Sequence, residues 1–276
     1  TAKIKETVKI LKEKYKDHIG PSPIPMLPTN LTVKQLAEYS GLMGQQHLYP
    51  IGLDEEFVRP VVVNFLTNKH LLIMGQAQKG KTNVLKVLLT NAVENNVLHI
   101  GVFDSFDRSL AMFTDNESIS YLESKDDVEE WITQIEGQLS IREMTYANSA
   151  IAERKTLQFT PILLVVDDYA RFNSGIDAKL QERITKLMKN AGYLGFNFIA
   201  SGNSTDLTKG YDVLTTEVKQ IRQAVLLMKK SDQTLYTLPY DRKEEEIQAG
   251  FGYYVLNNKE TKIQIPLFDS ERKIYS

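Results

Sequence analysis

Gly75-Gln76-Ala77-Gln78-Lys79-Gly80-Lys81-Thr82 satisfies G-x-x-x-x-G-K-[ST] in full. An apolar run, His70 to Met74, precedes it. Thr82 to Val93 follows, with Val84, Leu85, Leu88, Leu89, Ala92 and Val93 on one helical face. A strand, a glycine-bearing turn and a helix in that order form a phosphate cradle. Gly75 and Gly80 are expected to let the backbone curl until successive N–H groups face one cluster of phosphate oxygens. The following helix aims its positive end at the same anion. Lys81 is the candidate for the β and γ phosphates and Thr82 for a Mg²⁺ ion. Gln76, Ala77, Gln78 and Lys79 complete the nucleotide-binding loop. A polar turn that merely carries glycines and a lysine is the plainer alternative, and the flanking periodicities count against it.

A second feature fits the first. Ile162-Leu163-Leu164-Val165-Val166 is continuously apolar, the pattern of a strand buried on both faces, and it ends in Asp167-Asp168. In P-loop nucleotidases an acid at this place holds the Mg²⁺ shell. Asp167 is the candidate for that role and Asp168, the next residue, for activating the attacking water. Asp168 is one methylene shorter than a glutamate, which predicts slow turnover. A third strand, Phe196 to Ala200, leads into Ser201-Gly202-Asn203-Ser204, where a γ-phosphate sensor would sit. Asn203 is the first choice, with Ser201 and Ser204 as competitors. Arg171 and Arg183 are candidates for reaching a neighbouring subunit's nucleotide; a strand cap and a polar helix face are the plainer readings.

The remaining signals set limits. The 276 residues hold 33 Lys and Arg against 35 Asp and Glu, a net charge of −2, which supplies no bulk attraction to nucleic acid. With no cysteine, thiol catalysis and Cys-ligated metals are excluded. His18, His47, His70 and His99 lack metal-ligand spacing. No apolar run approaches a membrane span. The first residue is Thr1, so any anchor is expected outside this sequence. Residues 1–18 read as a Lys-rich amphipathic helix and 20–30 as a proline-rich linker, giving the division 1–30 (helix and linker) and 31–276 (the catalytic-type domain). Strands alternate with helices from about residue 57, and Asp126 to Tyr146 is a long helix. Gln223 to Met228, then Gly252 to Leu256 and Thr261 to Ile265 around Asn257-Asn258-Lys259-Glu260, read as a strand and a closing hairpin.

Gly192-Tyr193-Leu194-Gly195-Phe196-Asn197-Phe198-Ile199-Ala200-Ser201 resembles the helix–Gly–strand–sensor segment of the FtsK/SpoIIIE ATPases. Pro50-Ile51-Gly52-Leu53-Asp54 is similar to their strand upstream of the phosphate loop. Gly250-Phe251-Gly252-Tyr253 with Ile263-Gln264-Ile265-Pro266 looks like their closing hairpin. Within that family the sequence is most similar to the ATPases of type VII (ESX) secretion, and Ile24-Pro25-Met26-Leu27-Pro28 resembles the entry to their last ATPase domain. The resemblance spans roughly residues 20–268. It implies an α/β fold with a RecA-like P-loop NTPase core, a mainly parallel sheet with helices on both faces, and an antiparallel C-terminal edge hairpin. It implies ATP and Mg²⁺ as cofactors, tandem or ring-neighbour ATPase domains as partners, and a place on the cytoplasmic side of the cell membrane. It further implies WXG100-type cargo read through C-terminal export signals. The departures at Gln78, Lys79, Asp168 and Ser201-Gly202-Asn203 lead to a second expectation, a docking or regulatory module that hydrolyses weakly. A DNA translocase is the third, and the net charge weighs against it.

Overall fold

The continuous apolar run Ile162–Val166 is buried at all five positions and lies inside a ten-stranded sheet. The computed structural model describes residues 2–14, 25–42 and 44–268. In chain order the helices are α1 (Ala2–Lys14), α2 (Val33–Ser40), α3 (Lys81–Glu94), α4 (Lys125–Asn148), α5 (Ile151–Arg154), α6 (Tyr169–Gly175), α7 (Ala178–Asn190), α8 (Ser204–Thr208) and α9 (Val213–Val218). The strands are β1 (Leu48–Asp54), β2 (Pro60–Asn64), β3 (His70–Gly75), β4 (His99–Phe103), β5 (Ile119–Leu122), β6 (Ile162–Val166), β7 (Phe196–Gly202), β8 (Gln223–Leu227), β9 (Phe251–Leu256) and β10 (Lys259–Gln264). They lie in the order β2-β1-β10-β9-β8-β3-β7-β6-β4-β5.

From β8 to β5 every neighbouring pair is parallel; from β8 to β2 every pair is antiparallel. The alternation of side chains along a strand builds two cores. Leu72, Met74, Ile162, Leu164 and Val166 join one cluster with residues of α4, α6, α7 and α9. Leu71, Ile73, Leu163 and Val165 join the other with Val84, Leu85, Leu88, Leu89 and Ala92 of α3. Helices therefore cover both faces, as the alternating pattern implied. A Ser124–Asp127 capping box starts α4, where each residue's side chain accepts from the other's backbone N–H.

Three features differ from expectation. The hairpin does extend the parallel sheet, but it is not the edge: β1 pairs with β10 and β2 lies outside β1. Its turn is only Asn257-Asn258, both at positive φ (50° and 62°), so β10 begins at Lys259. Two asparagines in that conformation form the tight turn that matches strand twist. The short strand β5 has only four residues and was not foreseen. Of the 1–18 helix the structure describes Ala2–Lys14, with Ile4, Val8 and Leu11 exposed, and of the 20–30 linker residues 25–30; the remainder of both lies outside the described residues.

Below the parallel strands, His70 ties three elements together. Its Nδ1 accepts from the Phe198 N–H (3.0 Å), so its Nε2 carries the proton donated to the Met188 carbonyl (3.1 Å). Burial lowers its pKa from 6.5 to about 4, and burial likewise lowers those of His47 and His99. Between those values the unfolded chain takes up a proton that the folded chain refuses, so stability is lost as pH falls from 6.5 toward 4. The loss from His70 is about 3 kcal/mol. Urea unfolding at a series of pH values is expected to show this slope, and His70→Gln to flatten it.

Candidate functional site

Loop 76–80 is exposed and runs from the buried end of β3 into α3. Two loop residues have positive φ, Gln78 (61°) and Gly80 (95°). Gly80 meets the conformational requirement expected of it. Gly75 does not: its need for glycine comes from β8, because an added Cβ would lie 2.9 Å from Leu227 Cβ. The strained position falls instead on Gln78, a cost an L-residue accepts only where the surroundings enforce it. Lys81 folds back over the loop. Its Nζ donates to the carbonyls of Gly75 (2.9 Å) and Gln76 (2.8 Å). Burial lowers its pKa, and the charges of Asp167, Asp168 and Asp206 act the other way.

Asp167 follows β6 and is almost fully buried. One carboxylate oxygen, Oδ2, accepts from the Thr82 hydroxyl at 2.8 Å and lies 3.4 Å from the Ser105 hydroxyl. The other, Oδ1, accepts a short hydrogen bond from the Ser201 hydroxyl. The main chain is fixed too, since Asp167 N–H donates to the Phe103 carbonyl at 2.8 Å. Thr82 and Asp167 thus bring two hard oxygen donors together beside the loop, a donor set that suits Mg²⁺ with waters and phosphate oxygens in the remaining positions.

Asp168 has a different conformation and partner. Its φ of 67° puts it in the left-handed region, and its side chain caps α6 by accepting from Arg171 N–H (3.2 Å). Asn203 begins α8, is exposed, and makes no side-chain cap bond. Of the three sensor candidates it is Ser201 that reaches Asp167. The two arginines are engaged within the chain. Arg171 lies between the rings of Phe103 and Phe106, 4.7 and 4.3 Å from their centroids, and donates to the Asp104 carbonyl. Arg183 pairs with Glu129 (3.3 Å) and Glu136 (2.8 Å) of α4. Sequence reasoning missed Ser105 and Asp206. Asp104, which follows β4, is a buried carboxylate that accepts from Tyr121 OH (2.8 Å) and Leu110 N–H (2.7 Å). A strand-terminal Asp followed by Ser was the available signal.

A strand–loop–helix cradle with its lysine, a buried acid on a second strand, and a third strand between them define a RecA-like P-loop nucleotidase core. No family model matches the chain. ESX secretion system protein YukB of Bacillus subtilis is 45% identical over 271 residues, covering 98% of this chain and 18% of the relative. EccC of Geobacillus thermodenitrificans is 41% identical over 95% of the chain and 18% of the relative. A solved structure of EssC ATPases 2 and 3 from the same organism superposes with a TM-score of 0.85 at 39% identity, over 97% of this chain and 50% of that one. The chain belongs to the EssC/EccC family of type VII secretion ATPase domains. It spans under a fifth of the length of those curated relatives. Among the described residues no helix is long and apolar enough to cross a membrane.

The buried carboxylate depends on its two hydroxyl donors. Ser201→Ala is expected to lower the unfolding free energy by about 1–3 kcal/mol, because a charged acceptor loses a partner it cannot replace with water. Denaturant titration at pH 7 measures this; an unchanged midpoint would show the bond to be dispensable.

Proposed function

We propose that this domain binds Mg-ATP and serves as one ATPase domain of a membrane-anchored type VII secretion motor. The observation that carries the reading is the meeting of Thr82 and Asp167 beside an exposed loop of the right pattern. In this reading residues 75–80 cradle the phosphates, Lys81 exchanges its loop carbonyls for phosphate oxygens, and Thr82 and Asp167 hold Mg²⁺. Mg²⁺, when bound, screens the charge on the phosphates. Asp168 orients and deprotonates the attacking water, and Asn203 senses the terminal phosphate.

Partners follow from the longer proteins to which the domain is similar. Other ATPase domains of the same polypeptide, or ring neighbours, supply the missing charge in trans. WXG100-type proteins are the cargo, recognised through C-terminal export signals. A structure of Thermomonospora curvata EccC ATPases 2 and 3 contains a signal sequence peptide, which supports such a role for domains of this kind. Anchoring belongs to other parts of a longer chain, with this domain on the cytoplasmic side. The position of Asp168 favours one further reading. A carboxylate engaged as a helix cap is poorly placed as a base, so the domain binds ATP and turns it over slowly, acting as a docking or regulatory module.

Calorimetry with Mg-ATP on the wild-type domain and Lys81→Ala tests the binding site. The expected result is binding in the first and at least a tenfold loss in the second, with unchanged thermal stability. Equal affinity in both would overturn the assignment. Steady turnover in an assembled oligomer, abolished by Asp168→Asn, would favour the motor; negligible turnover in both would favour the docking module.

A further inference from the structure

The residue after Thr82 holds the end of the described chain in place. Asn83 Nδ2 donates to the Pro266 carbonyl (2.9 Å), and Asn83 Oδ1 accepts from Phe268 N–H (2.9 Å). This bidentate clamp fixes a three-residue segment beside the first turn of α3. From its other side, Leu267 N–H donates to the Leu31 carbonyl (2.8 Å), and Thr32 and Leu267 form an isolated parallel bridge. Phe268 turns inward against Phe113, with ring centroids 6.0 Å apart. Leu267, between two anchored neighbours, is left 71% exposed. A large apolar side chain is thus held in water on a segment that Asn83, the residue after Thr82, clamps from both sides.

Charge and topology say which end of a nucleotide would come here. The acids Asp167, Asp168 and Asp206, whose charges act on Lys81, belong to β6, to the start of α6, and to α8 after β7. All lie on the β7 side of β3. The terminal phosphate and its water belong there. A triphosphate is an extended chain, so its nucleoside end leaves the loop on the other side, toward β8, β9 and β10. Segment 266–268 follows β10 on that side. We propose that it forms the nucleobase subsite, with the flat apolar face of the base resting on the Leu267 side chain and Asn83 positioning the segment. This rests on the reading of loop 75–82 as a nucleotide site.

The test compares Mg-ATP with Mg-tripolyphosphate, which has the phosphates and no base, by calorimetry on the wild type, Leu267→Ala and Asn83→Ala. Burying a leucine side chain against a base predicts about a tenfold loss of ATP affinity in Leu267→Ala, with tripolyphosphate affinity unchanged. Asn83→Ala, which releases the segment, is expected to give the same split. Leu267 is exposed, so its variant keeps the fold, checked by an unchanged melting temperature. Unchanged ATP affinity in Leu267→Ala, while the wild type prefers ATP to tripolyphosphate, would place the base elsewhere and overturn the proposal alone. Parallel losses for both ligands would assign Leu267 to phosphate binding and also overturn it. Failure of the wild type to bind either ligand would overturn the nucleotide site itself, and this inference with it.

Discussion

Asp167 is the interaction on which the arrangement of the site depends. A carboxylate taken out of water is costly unless its oxygens are hydrogen-bonded. Here the donors come from distant parts of the chain, Thr82 on α3 and Ser201 on β7, with Ser105 beyond β4 close by. Satisfying one buried acid therefore fixes the phosphate-loop helix and the ends of three adjacent parallel strands relative to one another. The parallel register does the rest. Val166 pairs with Phe103 on one side and Ala200 on the other, so the residues after them arrive at the same sheet edge.

The two acids differ because the backbone differs at each. Asp167 continues the line of β6 and is held by its N–H to the Phe103 carbonyl. Asp168 leaves that line at a φ of 67° and starts α6. The next residue, Tyr169, is buried, and its hydroxyl lies 2.8 Å from Thr215 Oγ1 of α9. Asn173 Nδ2 reaches the same Thr215 oxygen at 3.3 Å. Two hydrogen bonds therefore tie the helix that Asp168 caps to α9, whose own cap is Asp212.

What was legible in the sequence was what short-range chemistry dictates. The strand–loop–helix around residues 75–82, the continuously apolar β6 and the position of the two acids after it were legible, because periodicity and burial record them locally. The order of the outer strands was not legible. Whether β9–β10 ends the sheet depends on β1 returning to pair with Gln264 and Ile263, a contact spanning about two hundred residues that no local pattern records. Strand β5, Ile119–Leu122, is too short for alternation to separate it from a loop. Asn203 was ranked ahead of Ser201 because depth is not legible in a local pattern: Ser201 lies within β7, against Asp167, and Asn203 beyond it. Gly75 was expected to let the loop curl, but it ends β3, and its need for glycine comes from the approach of Leu227, a tertiary fact.

A cation beside three carboxylates would be expected to pair with one of them, yet the hydrogen bonds of Lys81 go to two carbonyls of its own loop. Those bonds close the loop over the ammonium group. An anion entering the loop competes with neutral carbonyls, not with a carboxylate. A hydrogen bond between charged partners is stronger than one to a carbonyl, so the exchange favours the anion. Had Lys81 paired with Asp167, phosphate binding would have required breaking a buried ion pair and leaving the acid uncompensated. Asp167 instead accepts from the hydroxyls of Thr82 and Ser201, and Lys81 bonds its own loop.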